Sequence, residues 1–134
     1  MKNPYVPAKR KTKIVFVQLG SPTAPTAKAL RKFLRNFLGD PRVVDLNPYL
    51  WKVILNCFVL PFRPRRSAKL YARIWDGENF PLIANTEKFT DKVREEIKRL
   101  DPGGLVEVDH AFLLSRPYVS DVYDSWEVDL KNGI

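Results

Sequence analysis

A short apolar segment near the start of the chain restricts the fold more than any other feature. Residues 13–19 read KIVFVQL, a β-branched run that ends at Gly20-Ser21-Pro22. Such an unbroken run followed by a loop is typical of a strand that is buried on both faces of a parallel sheet. A second strand is expected from Leu105 to Leu114. Because helical patterns separate the two segments, the sequence predicts an α/β fold with a parallel sheet flanked by helices.

Four helices are predicted between the two strands and one after them. The expected ranges are residues 27–38, 48–60, 67–75, 87–100 and 120–131. The first follows a capping Thr26, carries an apolar stripe of period 3–4 and stops at Gly39. In the fourth, Thr86 is the predicted cap, and Phe89 and Leu100 belong to the predicted buried stripe. Pro61 and Pro64 are expected to end the second helix and separate it from the third.

The net charge of +8 is distributed very unevenly along the 134 residues. Residues 1–75 hold 16 Lys and Arg against 2 Asp and Glu, whereas residues 76–134 hold 7 against 13. We expect one folded domain at residues 13–134, preceded by a basic flexible arm at residues 1–12. The basic half implies an anionic partner, and nucleic acid, acidic lipid and a carboxylate-bearing ligand all fit. Nucleic acid is the least favoured, because aromatic residues are not interleaved with the cations.

The single cysteine and the single histidine exclude several classes of site. One cysteine cannot form an intramolecular disulfide framework or a cysteine-based metal site within one chain. His110 has two interpretations: a hydrogen-bonded structural residue, which we favour, or a ligand to haem iron or a general base. Cys57 is interpreted as a residue of the core or of an apolar surface.

The chain shows no secretory signal and no segment that fits a bilayer span. Its most apolar run, residues 49–62, contains Lys52 and Asn56 and is shorter than the ~20 residues that a spanning helix needs. We therefore expect a cytoplasmic protein.

Three ordered blocks of sequence resemble the ferrochelatase family, whose members insert ferrous iron into a porphyrin. The blocks are VFVQLGSPTAPT at residues 15–26, FLGDPRVVD at residues 37–45 and LPFRPRRSAKLY at residues 60–71. The resemblance is collinear from about residue 12 to the end of the chain. It implies the N-terminal lobe of a two-lobed α/β fold whose similar halves enclose a porphyrin cleft.

The resemblance also implies porphyrin or haem as the ligand and assigns residues to it. The residues expected to face the macrocycle are Leu19, Leu30, Phe33 and Phe37. Arg63 and Arg66 are expected to meet its propionates, and Tyr71 is expected at the pocket wall. A planar apolar ring with two carboxylates needs a hydrophobic slot rimmed by cations, and guanidinium groups suit bidentate contact with carboxylates. The apolar helix at residues 49–60 corresponds to the family's lip, which can rest on a membrane surface.

The chain also departs from the family pattern. The family's Gly-Ser-Pro-Leu segment is here Asn79-Phe80-Pro81-Leu82, and its Arg-Tyr pair after the second strand is here Leu113-Leu114. The family's catalytic histidine and acidic residues belong to the C-terminal lobe, so no catalytic or metal-binding residue is assigned in this chain.

Three hypotheses about function arise from this pattern. The leading one is a porphyrin- or haem-binding half-domain of tetrapyrrole metabolism that is not a self-sufficient chelatase and pairs with a copy of itself. The second is one half of a split ferrochelatase whose other lobe is a separate chain. The third is a non-catalytic interaction scaffold that has kept the fold and lost the ligand.

Overall fold

The computed structural model describes residues 11–131, with side chains to residue 128. Its elements, in chain order, are β1 (Thr12–Gln18), α1 (Ala27–Leu38), α2 (Pro48–Ile54), a π-helical turn (Leu55–Val59), α3 (Arg63–Ala72), α4 (Pro81–Leu100), β2 (Val106–Phe112) and α5 (Val119–Lys131). Most of the basic arm predicted at residues 1–12 lies outside the described residues. Thr12 itself belongs to β1, so the ordered fold begins before residue 13.

The two strands form a parallel sheet, which confirms the predicted α/β class. In the register, Thr12 is opposite Val106 and Gln18 is opposite Phe112. Helices flank both faces of this sheet. The ring of Phe16 packs against Phe89 of α4 with centroids 4.9 Å apart, and the ammonium of Lys13 lies 5.1 Å from the ring centroid of Trp126 in α5. Even and odd positions of a strand point to opposite faces, so α4 and α5 lie on opposite sides.

A second apolar region holds α1, α2 and the π-helical turn together. Its buried members, from α1, the π-helical turn and the residue after it, are Phe33, Leu34, Leu55 and Leu60. Two side-chain donors to backbone carbonyls support this packing: the indole N–H of Trp51 donates to Leu38 O at 2.7 Å, and Arg31 Nε donates to Leu60 O at 3.3 Å. The helices after β1 therefore have a core of their own beside the sheet.

The π-helical turn changes the phase of the second predicted helix. Leu60 N–H donates to Leu55 O at 2.8 Å, a bond that spans five residues instead of four. Leu55 and Leu60 are only 4% and 3% exposed, so both side chains face the core. The pattern of apolar residues predicted a regular helix over residues 48–60, and the change of helix type within it is a finding of the structure.

Helix α3 begins at Arg63, four residues before the predicted start. Pro64 lies in its first turn, where a residue without an N–H costs no hydrogen bond, and it is buried. The prediction that Pro64 separates two helices was therefore wrong. A proline after a helix and a proline in the first turn of the next helix look alike in sequence.

Helix α4 begins at Pro81, so the prediction of Thr86 as its cap was wrong. The hydroxyl of Thr86 donates to Leu82 O at 2.7 Å, and that of Thr90 donates to Thr86 O at 2.8 Å. Both threonines are buried, whereas Phe89 and Leu100 of the predicted buried stripe are exposed. Because each hydroxyl is satisfied within its own helix, threonine can occupy the inner face without leaving an unpaired polar group.

The turn between α3 and α4 is held by one carboxylate. Asp76 Oδ1 accepts hydrogen bonds from the backbone N–H of Glu78 at 2.8 Å and of Asn79 at 2.6 Å. The bond from Asn79, followed by that from Glu78, lowers the pKa of the Asp76 carboxyl below its ordinary value. Because these donors favour the charged form, the turn depends on Asp76 being ionised.

We expect acid to loosen this turn. Because the pKa of Asp76 is lower in the folded state, the ionised carboxylate stabilises the fold fully at pH values above the unfolded-state pKa of about 3.9. This stabilisation is lost as the pH falls through the lower pKa of the folded state. A carboxyl NMR titration of Asp76 should therefore have its midpoint below about 3.9. The amide protons of Glu78 and Asn79 should shift at the same midpoint and lose that response in Asp76→Asn. A midpoint at or above the unfolded value would contradict the role of the Asp76 carboxylate in holding this turn.

Candidate functional site

An open cleft of about 540 Å³ lies along the exposed face of α3, and we call it the α3 cleft. Arg63, Arg66 and Leu70 share this face, because positions three and seven residues apart on a helix lie close together around its axis. Pro64 and Ala68 are buried and hold the opposite face against the protein. The lining residues are Phe58, Val59, Phe62, Arg63, Arg66, Ser67 and Leu70.

The wall of the α3 cleft is apolar and open to solvent. Phe58, Phe62 and Leu70 are 68%, 71% and 55% exposed. Large apolar side chains grouped on a surface mark a contact site for a ligand or a partner. The two guanidinium groups stand on the same surface, and no carboxylate belongs to the lining residues. The cleft therefore suits a ligand with an apolar body and acidic substituents.

A second cleft of about 210 Å³, the strand-end cleft, lies at the carboxyl ends of β1 and β2. Gly20, two residues after the end of β1, has a φ of +98°, and the N–H of Ser21 donates to Ser115 Oγ at 3.2 Å. Lys32 and Arg116 contribute cations to the lining. The carboxyl ends of parallel strands are where ligands bind in open α/β sheets.

The residues predicted from the family resemblance occupy different environments. Arg63 and Arg66 come together in the α3 cleft. Leu30 is 0% exposed and lies in the interior of this chain. Phe33 is 7% exposed, borders the strand-end cleft and stacks on the half-buried Phe37 with ring centroids 6.1 Å apart. Two of the predicted apolar contacts thus lie behind the surface of the lobe.

Leu19 and Tyr71 line neither cleft. Leu19 is 38% exposed at the end of β1, where its carbonyl accepts the N–H of Leu114 at 2.9 Å. Tyr71 is half-buried, and its ring meets Phe80 edge-on with centroids 5.3 Å apart. Tyr71 lies at the side of α3 and packs on Phe80, so it does not line the cleft.

The departures from the family pattern have clear structural places. Phe80, the bulky substitute in the Asn79-Phe80-Pro81-Leu82 segment, is 2% exposed and packs edge-on against Tyr71 and also against Trp75 at 4.7 Å. Leu113 is 58% exposed, whereas Leu114 packs against the helical core. The added ring at residue 80 therefore fills the interior of the lobe.

Neither His110 nor Cys57, the single histidine and the single cysteine, belongs to a cluster of possible metal ligands among the described residues. Nδ1 of His110 is buried and has no hydrogen-bond partner among the described residues, so the hydrogen bond expected of a structural histidine is not found at this atom. Its ring packs edge-on against Phe112 at 5.6 Å. Cys57 is an exposed free thiol on the π-helical turn. Within residues 11–128, no group of three or more His, Cys, Asp and Glu side chains is placed to hold a metal ion.

Sequence reasoning missed the apolar wall of the α3 cleft. Phe58, Phe62 and Leu70 follow the helical spacing of a buried stripe, and an exposed stripe has the same spacing. The signal that distinguishes them is their alternation with the arginines of residues 63–66, since cations at the edge of an apolar stripe indicate a surface.

Comparison with known proteins identifies the lineage of this lobe. The family model described as Ferrochelatase matches residues 11–131. The chain is 41% identical over 119 residues to the coproporphyrin III ferrochelatase of Streptococcus mutans, covering 89% of this chain and 37% of that protein. It is 50% identical over 90 residues to the ferrochelatase of Methylobacillus flagellatus, covering 66% of this chain and 26% of that protein.

The aligned region covers most of this chain and a small share of each relative. A third relative, the ferrochelatase of a Marinomonas species, is 41% identical over 106 residues, which is 79% of this chain and 32% of that protein. The chain thus spans about a third of the length of the curated relatives that it matches. The matched part contains both strands and all the helices described above, and the chain belongs to the ferrochelatase family.

Proposed function

We propose that this lobe binds a porphyrin or haem through the α3 cleft, as a half-domain of haem biosynthesis. The observation that carries the proposal is the pairing of Arg63 and Arg66 with an exposed apolar wall formed by Phe58 and Phe62. A tetrapyrrole has a planar apolar ring for the wall and carboxylates for the guanidinium groups. The name of the Streptococcus mutans relative, which specifies coproporphyrin III, supports a carboxylate-bearing porphyrin.

Metal insertion needs more than this lobe offers at the cleft. A base must take two protons from the pyrrole nitrogens, and general bases in proteins are mostly His, Asp and Glu. The residues that line the α3 cleft include none of these. We therefore propose that the lobe holds the porphyrin and is not a self-sufficient ferrous-iron chelatase.

A second candidate is one half of a split ferrochelatase, with the C-terminal lobe supplied by a separate chain. It is favoured by 41% identity to a relative of which this chain spans 37%. The open apolar wall of the α3 cleft is also a surface that a second lobe would cover. The same surface leads us to propose that the lobe associates, either with such a chain or with a copy of itself. Iron insertion on mixing with a C-terminal-lobe chain would favour the split enzyme.

We also propose a cytoplasmic location with peripheral contact at a membrane surface. None of the helices within residues 11–131 is both long and apolar enough to cross a bilayer. Helix α2, however, presents Tyr49, Leu50 and Val53 at 84%, 58% and 57% exposure, with Lys52 among them. Apolar side chains with a neighbouring cation suit an interface with acidic lipid, where porphyrins also partition.

The test of porphyrin binding is an absorbance titration of the purified chain with coproporphyrin III. We expect a shift of the Soret band for the wild type, and a dissociation constant about 10- to 100-fold higher for Arg63→Ala/Arg66→Ala. A hydrogen bond to a charged group contributes about 1.5–3 kcal/mol, so the loss of one such bond, or of two at the lower figure, accounts for this range.

The matched control is Arg65→Ala/Arg73→Ala. These two arginines lie on or directly after α3, are exposed and do not line the α3 cleft, so the control removes the same charge. We expect it to bind nearly as the wild type does. Absence of any spectral shift in the wild type would refute the proposed function, and equal weakening in both double variants would refute the assignment of Arg63 and Arg66.

A further inference from the structure

The carbonyl of Leu60 lies at the junction between the π-helical turn and α3. Leu60 is 3% exposed, so its backbone is buried with its side chain. In a helix that continued through this junction, the N–H of residue 64 would donate to Leu60 O. Residue 64 is proline, which has no N–H to donate. The buried carbonyl therefore needs a donor from another part of the chain.

Arg31 of α1 supplies this donor. Its Nε donates to Leu60 O at 3.3 Å, and a charged donor makes a stronger hydrogen bond than a neutral one. Arg31 is half-buried, whereas Lys28, Lys32 and Arg35, which share its face of α1, are exposed. Since α1 and α3 pack against each other, the side chain of Arg31 is part of the contact between these two helices.

Two parts of the α3 cleft meet at Leu60. Phe58 and Val59 come directly before it and belong to the apolar wall. Phe62 and Arg63 follow it and also line the cleft. Only two residues separate Leu60 from the start of α3. The position of the Leu60 carbonyl therefore sets where α3 begins relative to the wall.

We propose that Arg31 is a positioning residue of the α3 cleft. By holding the Leu60 carbonyl, it fixes Arg63 and Arg66 relative to the wall at Phe58, so that one porphyrin meets both. Arg31 acts through Leu60 and does not itself line this cleft. The inference rests on the proposed function for its ligand, and on the hydrogen bond to Leu60 for its mechanism.

The test is a coproporphyrin III titration of the full chain with Arg31→Met, which keeps an apolar stem and removes every donor. The matched control is Arg35→Met. It removes the same charge from the same face of α1, where both arginines line an open cleft of about 620 Å³. Arg35→Met should change the dissociation constant by less than about twofold, because an exposed charge that contacts no ligand contributes little.

Arg31→Met should raise the dissociation constant about tenfold. Without the bond to Leu60, the cleft holds its binding arrangement in only a fraction of the molecules, and the apparent affinity falls by that fraction. Loss of one hydrogen bond from a charged donor lowers the fraction to about a tenth. Binding as tight as that of the wild type would overturn the inference and leave the proposed function standing.

A second background separates positioning from other roles of Arg31. In Arg63→Ala/Arg66→Ala, the guanidinium groups that Arg31 positions are gone. Arg31→Met should then weaken binding by less than about twofold more. A general loss of stability, or a direct attraction of Arg31 for the carboxylates of the porphyrin, would give the same factor in both backgrounds. Equal factors would therefore overturn the inference.

Hydrogen exchange tests the junction without any ligand. The N–H groups of Leu60 and Phe62 are both hydrogen-bonded there. Their amides should exchange about tenfold faster in Arg31→Met and as in the wild type in Arg35→Met. The Ala84 amide, bonded at the start of α4, is the internal reference and should not change. Unchanged exchange at Leu60 and Phe62 would overturn the inference.

The two measurements also separate this inference from the proposed function. A wild type that shows no Soret shift would refute porphyrin binding, and the exchange of the Leu60 amide would then decide alone whether Arg31 fixes the junction. If Arg31→Met does not fold, Arg31→Lys takes its place in both measurements, because it keeps the charge and lacks the Nε–H donor. We expect the same direction of change for that variant.

Discussion

Replacing Phe80 with alanine is expected to lower the free energy of unfolding by about 3–5 kcal/mol. Phe80 is 2% exposed and is among the largest fully buried side chains. Its ring packs edge-on against Tyr71 and Trp75, which belong to α3 and the turn after it. Removing the ring would leave a cavity between two aromatic rings that cannot collapse to fill it. Since a domain of this size is stable by about 5–15 kcal/mol, much of that margin would disappear.

The control for this change is Phe62→Ala. Phe62 is 71% exposed on the wall of the α3 cleft, so its removal should change stability by no more than about 0.5 kcal/mol. Urea unfolding followed by circular dichroism measures both effects. Similar losses for the two variants would mean that Phe80 does not anchor α3 to the start of α4. Under the proposed function, Phe62→Ala should weaken porphyrin binding while leaving the fold intact.

Gly20→Ala is the second change with a large expected effect, about 2–5 kcal/mol. A Cβ at this position would lie 2.3 Å from Ser115 Oγ, 3.1 Å from Ser115 N and 3.3 Å from Phe112 Cβ. The φ of +98° adds strain for any side chain. Left-handed backbone costs about 1–2 kcal/mol for a residue with a Cβ, and forced overpacking costs about 1–3 kcal/mol. The end of β1 and the loop after β2 would have to separate.

Gly77→Ala isolates the two causes. Gly77 has nearly the same φ, +103°, but a Cβ there would meet nothing within 4 Å. The difference between the two variants therefore measures the steric clash alone, and we expect about 1–3 kcal/mol. Part of this difference should disappear when Gly20→Ala is made together with Ser115→Ala, because the nearest contact is then gone. Equal losses at Gly20 and Gly77 would show that the close approach has no cost.

The strands were the most predictable part of this protein. The run from Lys13 to Leu19 indicated a strand of a parallel sheet, and β1 pairs in parallel with β2. The bounds of β1 are each one residue from the expected ones, whereas β2 begins one residue later and ends two residues earlier than expected. The signal was strong because β-branched residues in an unbroken apolar run suit few other structures. The order of elements then limited the topology.

The helix faces were harder to predict, because burial depends on what packs against a helix. Phe89 has the right spacing for a core residue and is exposed in a cleft between α4 and β1. Thr90 looks like a surface residue and is 0% exposed. Hydropathy ranks the first above the second, whereas the structure buries the residue that is small and can satisfy its own hydroxyl.

The sequence indicated the cations of the candidate site but not the apolar residues that form its wall. Arg63 and Arg66 were assigned from the family resemblance, and they do lie together in the α3 cleft. Leu30 and Phe33 come from the same assignment, and they lie inside the lobe because α1 uses its apolar stripe to pack against neighbouring helices. One amphipathic stripe cannot be both the core of a lobe and the open wall of its cleft.

The π-helical turn makes the orientation of α3 depend on the number of residues between Leu55 and Leu60 as well as on their chemical nature. An α-helix turns about 100° per residue, so side chains five positions apart point about 140° away from each other. The wider turn brings Leu55 and Leu60 to the same side and leaves Phe58 and Phe62 facing outward. Losing one residue here would restore a regular helix and rotate α3 relative to α2 by about 100°. In evolutionary terms, substitutions in this segment can accumulate gradually, but a one-residue deletion would turn α3, with Arg63 and Arg66, about 100° away from its present orientation in one step.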